Sequence, residues 1–152
     1  MTIRLQAEVT GYNGPAVNLL GALDPDSGLL IVARELAVGE RQDETMVTSN
    51  DPRSERRDRL FSEDDLQESI RLFFRAKSTA MIELLPTVTK HEPAHKIETN
   101  GMDEHGTKYR LSPDITNGNV AILALAALAD RAYKSQAATS FSDELAELFA
   151  SI

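Results

Sequence analysis

The sequence predicts an α+β domain, and three observations lead there. Residues 2–10 alternate apolar Ile3, Leu5, Ala7 and Val9 with polar Arg4, Gln6, Glu8 and Thr10. That period of two is the mark of a half-buried strand. A stripe of Leu66, Ile70, Phe73, Phe74 and Met81 keeps helical spacing. Val120 to Ala129 is apolar on nearly every face. The expected arrangement is an antiparallel β meander plus a hairpin, packed against one long central helix and two C-terminal helices. At 152 residues the chain fits a single domain spanning 1–152.

The elements follow in order. Tyr12-Asn13-Gly14-Pro15 is a turn signal. Residues 16–23 fit a strand or a short helix. Asp24-Pro25-Asp26-Ser27-Gly28 turns the chain, and Leu29–Leu36 is apolar enough for a central strand. Residues 38–43 turn again, and Thr45–Thr48 adds a short strand, so that successive short connections give the meander. Residues 49–60 interleave Arg53, Arg56, Arg57 and Arg59 with Asp51, Glu55 and Asp58, the composition of a mobile, solvated loop. Ser62 and Asp65 form a capping box, with Phe61 and Leu66 as a hydrophobic staple, and the helix they start carries its stripe on to Leu84 and Leu85. Thr87-Val88-Thr89 favours extended chain. Residues 96–99 and 107–111 flank the turn 100–106 as a hairpin. Asn117-Gly118-Asn119 leads into the apolar run 120–129. A last helix is expected from Phe141-Ser142-Asp143-Glu144, with Phe141, Leu145, Leu148, Phe149 and Ile152 on one stripe.

Composition narrows the function. There is no cysteine, hence no disulfide, thiol nucleophile or thiolate metal site. The N-terminus has no apolar signal core, and the longest apolar run is too short to span a bilayer. A reducing cytoplasm is the expected compartment. A net charge of −8 repels phosphate backbones and anionic lipid. Absent tryptophan and scarce aromatics leave little to stack on bases. Neither direct nucleic-acid binding nor membrane attachment is expected.

One string names a chemistry. His91-Glu92-Pro93-Ala94-His95 matches H-E-x-x-H, in which two histidines one helical turn apart hold zinc and the glutamate polarises water. A zinc-dependent hydrolase with Glu92 as its base and His91, His95 and His105 as ligands is therefore the alternative reading. The motif requires a helix, since in extended chain His91 and His95 lie roughly 13 Å apart. Pro93 opposes that helix at a cost of about 3 kcal/mol. No phosphate loop, nucleophile elbow or calcium loop accompanies it.

The stretch Asn100 to Ala129 runs from a polar turn through a strand and Leu-Ser-Pro-Asp to an Ala/Leu-rich helix. In that pattern it is similar to the C-terminal part of the KlcA/ArdB-type antirestriction proteins, which are also small and acidic. The resemblance implies an anti-defence inhibitor and carries no residue roles. Taken together, the preferred expectation is a non-catalytic, cofactor-free acidic module that inhibits or regulates another protein by binding it. Two contact surfaces are expected: the guanidinium cluster Arg53, Arg56, Arg57 and Arg59 for an anionic group, and Val120, Leu123 and Ala127 for a homodimer.

Overall fold

The computed structural model describes residues 2–150; the side chains of residues 137–147 and of 149 lie outside the description. The architecture is α+β. Strands β1 (Ile3–Val9), β2 (Val17–Leu23), β3 (Leu30–Leu36), β4 (Thr45–Ser49) and β5 (Arg59–Leu60) precede helix α1 (Leu66–Ser78). Strand β6 (Ile82–Leu84), two 3-10 turns (Pro86–His91 and Ala94–Lys96), a hairpin of β7 (Ile97–Asp103) and β8 (Gly106–Leu111), and helix α2 (Asn117–Ala150) follow.

Six strands form one mixed sheet in the order β5-β4-β1-β2-β3-β6. The ambiguous segment 16–23 is strand β2. The meander is three strands long, because β4 does not turn back beside β3. It crosses to the far side of β1 and pairs with it in parallel, Leu5 opposite Met46 and Ala7 opposite Thr48. Buried polar side chains anchor the crossing loop. Gln6 and Asn18 project from the face of the sheet away from the helices, yet both are about 1% exposed. Gln6 Nε2 donates to the Glu40 carbonyl at 3.0 Å, and Asn18 Nδ2 to the Ala37 and Glu40 carbonyls at 3.0 and 2.8 Å. The Gln42 amide returns a bond to Gln6 Oε1 at 2.7 Å. Residues 37–44 are thus a strap over the sheet, not a tight turn.

The other face packs on the helices. Leu5, Ala7, Val9, Leu19 and Leu23 meet Ile70 and Phe73 of α1 and Val120 to Leu125 of α2, all essentially unexposed. Burying each such large side chain contributes about 1.5–3 kcal/mol. Ser62 and Asp65 start α1 as expected: the Asp65 carboxylate accepts the Ser62 amide at 2.8 Å and its hydroxyl at 3.1 Å. A 3-10 turn (Glu63–Asp65) precedes the α-helix proper. The end differs from expectation. α1 stops at Ser78, and Leu84 lies in strand β6 while Leu85 begins the next turn. Ala80 is left-handed, with φ +57°, while the Ala80 amide bonds the Lys77 carbonyl and the Met81 amide the Ala76 carbonyl at 2.7 Å. That is a Schellman stop with alanine in the position usually given to glycine.

Two C-terminal helices are also one. Neither glycine nor proline occurs from residue 119 to 150, so nothing ends the helix before Ser142. α2 runs unbroken from Asn117 to Ala150, about 51 Å at 1.5 Å per residue. The capping and stripe expected of Phe141 to Phe149 concern side chains mostly outside the described residues, as does Ile152. The α2 start is built by Thr116 and Asn119, which exchange bonds: Thr116 Oγ1 accepts the Asn119 amide at 3.1 Å and Asn119 Oδ1 the Thr116 amide at 3.0 Å. Among the described residues no helix is long and apolar enough to cross a membrane.

Candidate functional site

The histidines do not converge. Thr87-Val88-Thr89 is not extended; Pro86 starts a 3-10 turn that Val88 seats in the core. Glu92 then leaves the helical region (ψ 122°), and Pro93 opens a separate turn carrying His95. The string is therefore two turns joined by a break, and the one-helix geometry of a zincin is absent. His91 is turned inward: its ring Nε2 engages the Glu35 carboxylate, and the ring lies directly over Gly118. Glu92 bonds Lys77 at 3.1 Å and caps the Ala94 amide. His95 and His105 are exposed, the latter at the tip of the β7–β8 hairpin beside Glu104. Among the described residues no three His, Asp or Glu side chains gather around a point that would hold a metal ion.

The arginine-rich loop is largely turned in on its own surroundings. Arg56 pairs with Glu8 at 2.7 Å and Arg57 with the carbonyls of Asp51 and Pro52. Arg53 reaches out, with Asp51 at 3.7 Å. Arg59 alone points toward a concavity, 4.0 Å from Asp65. The Asp58 carboxylate accepts the Val47 amide at 2.9 Å, so the loop covers the stretch of β4 just ahead of its pairing with β5. Val120 and Leu123, expected at a subunit interface, are 0% exposed inside the chain's own core. The apolarity of 120–129 is consumed by the sheet and α1, which removes the reason for assigning Val120 and Leu123 to a second subunit. Only Ala127 is partly open, and it also faces that concavity.

That concavity is the candidate site. It is a cleft of about 750 Å³ between the helix-side face of β4, helix α1 and helix α2. It exists because α2 packs over β1 and β2, leaving the edge pair β4–β5 beneath no helix of its own. Met46 and Thr48 form one wall, Phe61 and Leu72 the floor, and Leu128 and Ala127 the opposite wall. Charge sits at the rim: Arg59, Asp65 and Glu68 on one side, Asp130, Arg131 and Lys134 on the other. Several rim groups are already engaged. Asp130 takes Arg75 at 3.2 Å and Lys134 at 2.9 Å, and Asp65 serves the cap of α1. Ser69 donates its hydroxyl to the Leu66 carbonyl at 2.7 Å, and no histidine lines the cleft. An apolar floor with a charged rim is the profile of a binding surface.

Of the cleft residues, Arg59 and Ala127 are marked out by the sequence, whereas Met46, Leu72, Leu128 and Arg131 are not. Arg131 follows Ala127 by four residues, hence on the same helical face; that signal was present, but the strand it faces was not readable. The shifted groups lie elsewhere. The His91 hydrogen bond holds the Glu35 carboxyl below its usual range. Burial, helped by the charge of Glu63, raises the Tyr12 phenol to about 12. No family model matches this chain, and neither a curated protein nor a solved structure matches it.

Proposed function

We propose that the protein is a non-catalytic module that inhibits or regulates another protein by binding it, and that the β4–α1–α2 cleft is where it does so. One observation carries this reading: the cleft joins an apolar floor of Phe61, Leu72 and Leu128 to a charged rim that no histidine enters. Its volume suits several side chains of a partner rather than a single ion. The hydrolase alternative draws no support from the geometry, because Glu35 occupies His91 and Pro93 separates His91 from His95. The anti-defence reading would make the partner an enzyme of a host defence system.

Ala127→Trp tests the proposal. The side chain is partly open and faces the cleft, so an indole there fills the space without entering the core. Protein captured from the native host on the wild-type chain is expected to fall by about tenfold or more on the variant, the loss of roughly 1.4 kcal/mol of binding. Thermal unfolding of the variant should stay within about 0.5 kcal/mol of wild type, as for a surface substitution. Identical captures on both proteins would exclude the cleft as the binding site.

A further inference from the structure

The cleft continues past Met46 into a second concavity of about 540 Å³, and the two share Met46, Arg59 and Arg131. Four guanidiniums line this mouth, Arg4, Arg41, Arg59 and Arg131, against the two carboxylates Glu44 and Asp58. The local excess of two positive charges stands on a chain whose total is −8. Their commitments differ. Arg41 is fully engaged, by Asp58 at 2.9 Å and by the Arg56 and Thr45 carbonyls. Arg4 reaches only neutral acceptors, the Gln42 side chain at 3.0 Å and the Asp43 carbonyl at 3.4 Å. Arg59 has Asp65 at the 4.0 Å limit of an ion pair. Arg131 is exposed, and its guanidinium has no hydrogen-bond or ion-pair partner among the described residues.

We infer that this mouth takes the carboxylate side chains of an acidic segment of the partner protein, with apolar residues of the same segment resting on Met46, Phe61 and Leu128. The inference rests on the cleft being a protein-binding site and supplies the chemistry of what it binds. Charge complementarity commits the choice. Guanidinium forks prefer planar oxyanions that accept two parallel bonds, and Arg59 and Arg131 offer unspent donors at the junction of both concavities. A free phosphate would meet the arginines and leave the adjoining apolar floor uncovered; a peptide bearing both kinds of side chain covers both. The local excess of two positive charges on a chain of net −8 draws an acidic segment toward this mouth.

The probe is a displayed library of randomised 12-residue peptides, panned on the folded full-length chain. Enriched sequences are expected to interleave Asp or Glu with apolar residues. A synthetic peptide of that kind should lose about tenfold in affinity when its acids become amides, and as much against Arg131→Glu. Arg131→Glu is the informative variant because Arg131 holds nothing else together; an unchanged melting temperature confirms it folds, and Arg59→Gln provides the second reading. Enriched peptides that are neutral or basic, and that Ala127→Trp still abolishes, overturn the acidic inference while leaving the cleft as a binding site. Failure to enrich any peptide sensitive to Ala127→Trp overturns both. Inorganic phosphate alone displacing the peptide at equal concentration identifies a small-anion site and overturns the inference.

Discussion

His91 seats the 86–96 segment on the body of the protein, and Gly118 is what lets it do so. The imidazole reaches across to Glu35 on β3 while its ring plane rests against the first turn of α2, where a Cβ on residue 118 would overlap the ring. Asn119 completes the seat by donating Nδ2 to the His91 carbonyl at 2.9 Å. The requirement for glycine here is space rather than dihedral angle, since the left-handed glycines of the chain lie elsewhere. Gly118→Ala should therefore cost about 1–3 kcal/mol, the usual penalty of an overpacked site. In a His91→Ala background the same substitution should be neutral or favourable, because alanine is the better helix former by up to about 1 kcal/mol. Urea unfolding of the four proteins gives the cycle. Equal costs in both backgrounds would show that the imidazole is not what excludes the methyl. The same contacts explain why a literal metal-site string folds into something else: His91 is consumed as a bridge between a strand and a helix start.

Elements were legible where their signals were local. The β1 alternation, the Ser62–Asp65 start of α1 and the β7–β8 hairpin each rest on residues a few positions apart and each is in the structure, although the strand runs on through Asn100 to Asp103 and the expected turn 100–106 shrinks to residues 104–105. The end of α1 was not legible, because its Schellman stop uses Ala80, and alanine announces continuation. Holding alanine in the left-handed region costs about 1 kcal/mol. Ala80→Gly should return about 0.5–1 kcal/mol, visible as a higher urea midpoint at unchanged slope; a loss of stability would show that the terminus is held by something other than its backbone bonds. The strap was missed for a related reason. Gln6 and Asn18 read as the solvent side of their strands, since a polar residue in an alternating pattern does not disclose that a distant loop will cover it. Of the cleft, only Arg59 and Ala127 were reachable from sequence. Its walls come from β4, Phe61, α1 and α2, and they meet only because β4 crosses to β1, a long-range pairing that no local pattern encodes.

At the scale of the whole molecule, proton linkage links both ends of the pH scale to the same tertiary contacts. Four carboxyls among the described residues sit below their ordinary values. Asp24 accepts the Asp26 amide and the Ser27 hydroxyl, and Glu35 is held by His91 and Lys90. Asp103 takes the His105 amide and Arg71, and Asp114 is bound by Lys96 and Ser112. A depressed carboxyl stabilises the fold fully above its unfolded value, here 4.5 for Glu35 and 3.8 for the aspartates, and loses that contribution as pH falls further. The Tyr12 phenol works in the opposite sense. Raised from 10.0 to about 12 by burial and by Glu63, it keeps its contribution below pH 10 and loses it as pH climbs toward its folded value. Stability against urea should accordingly hold a plateau between about pH 5 and pH 10 and decline on both sides. Two substitutions assign the limbs. Glu35→Gln should flatten part of the acid decline, because it removes a proton acceptor that links β3 to the 86–91 turn. Tyr12→Phe should flatten part of the alkaline decline. An acid limb unchanged by Glu35→Gln would mean that the bridge to His91 does not persist in solution, and with it would go the account of how the segment carrying the histidines is held.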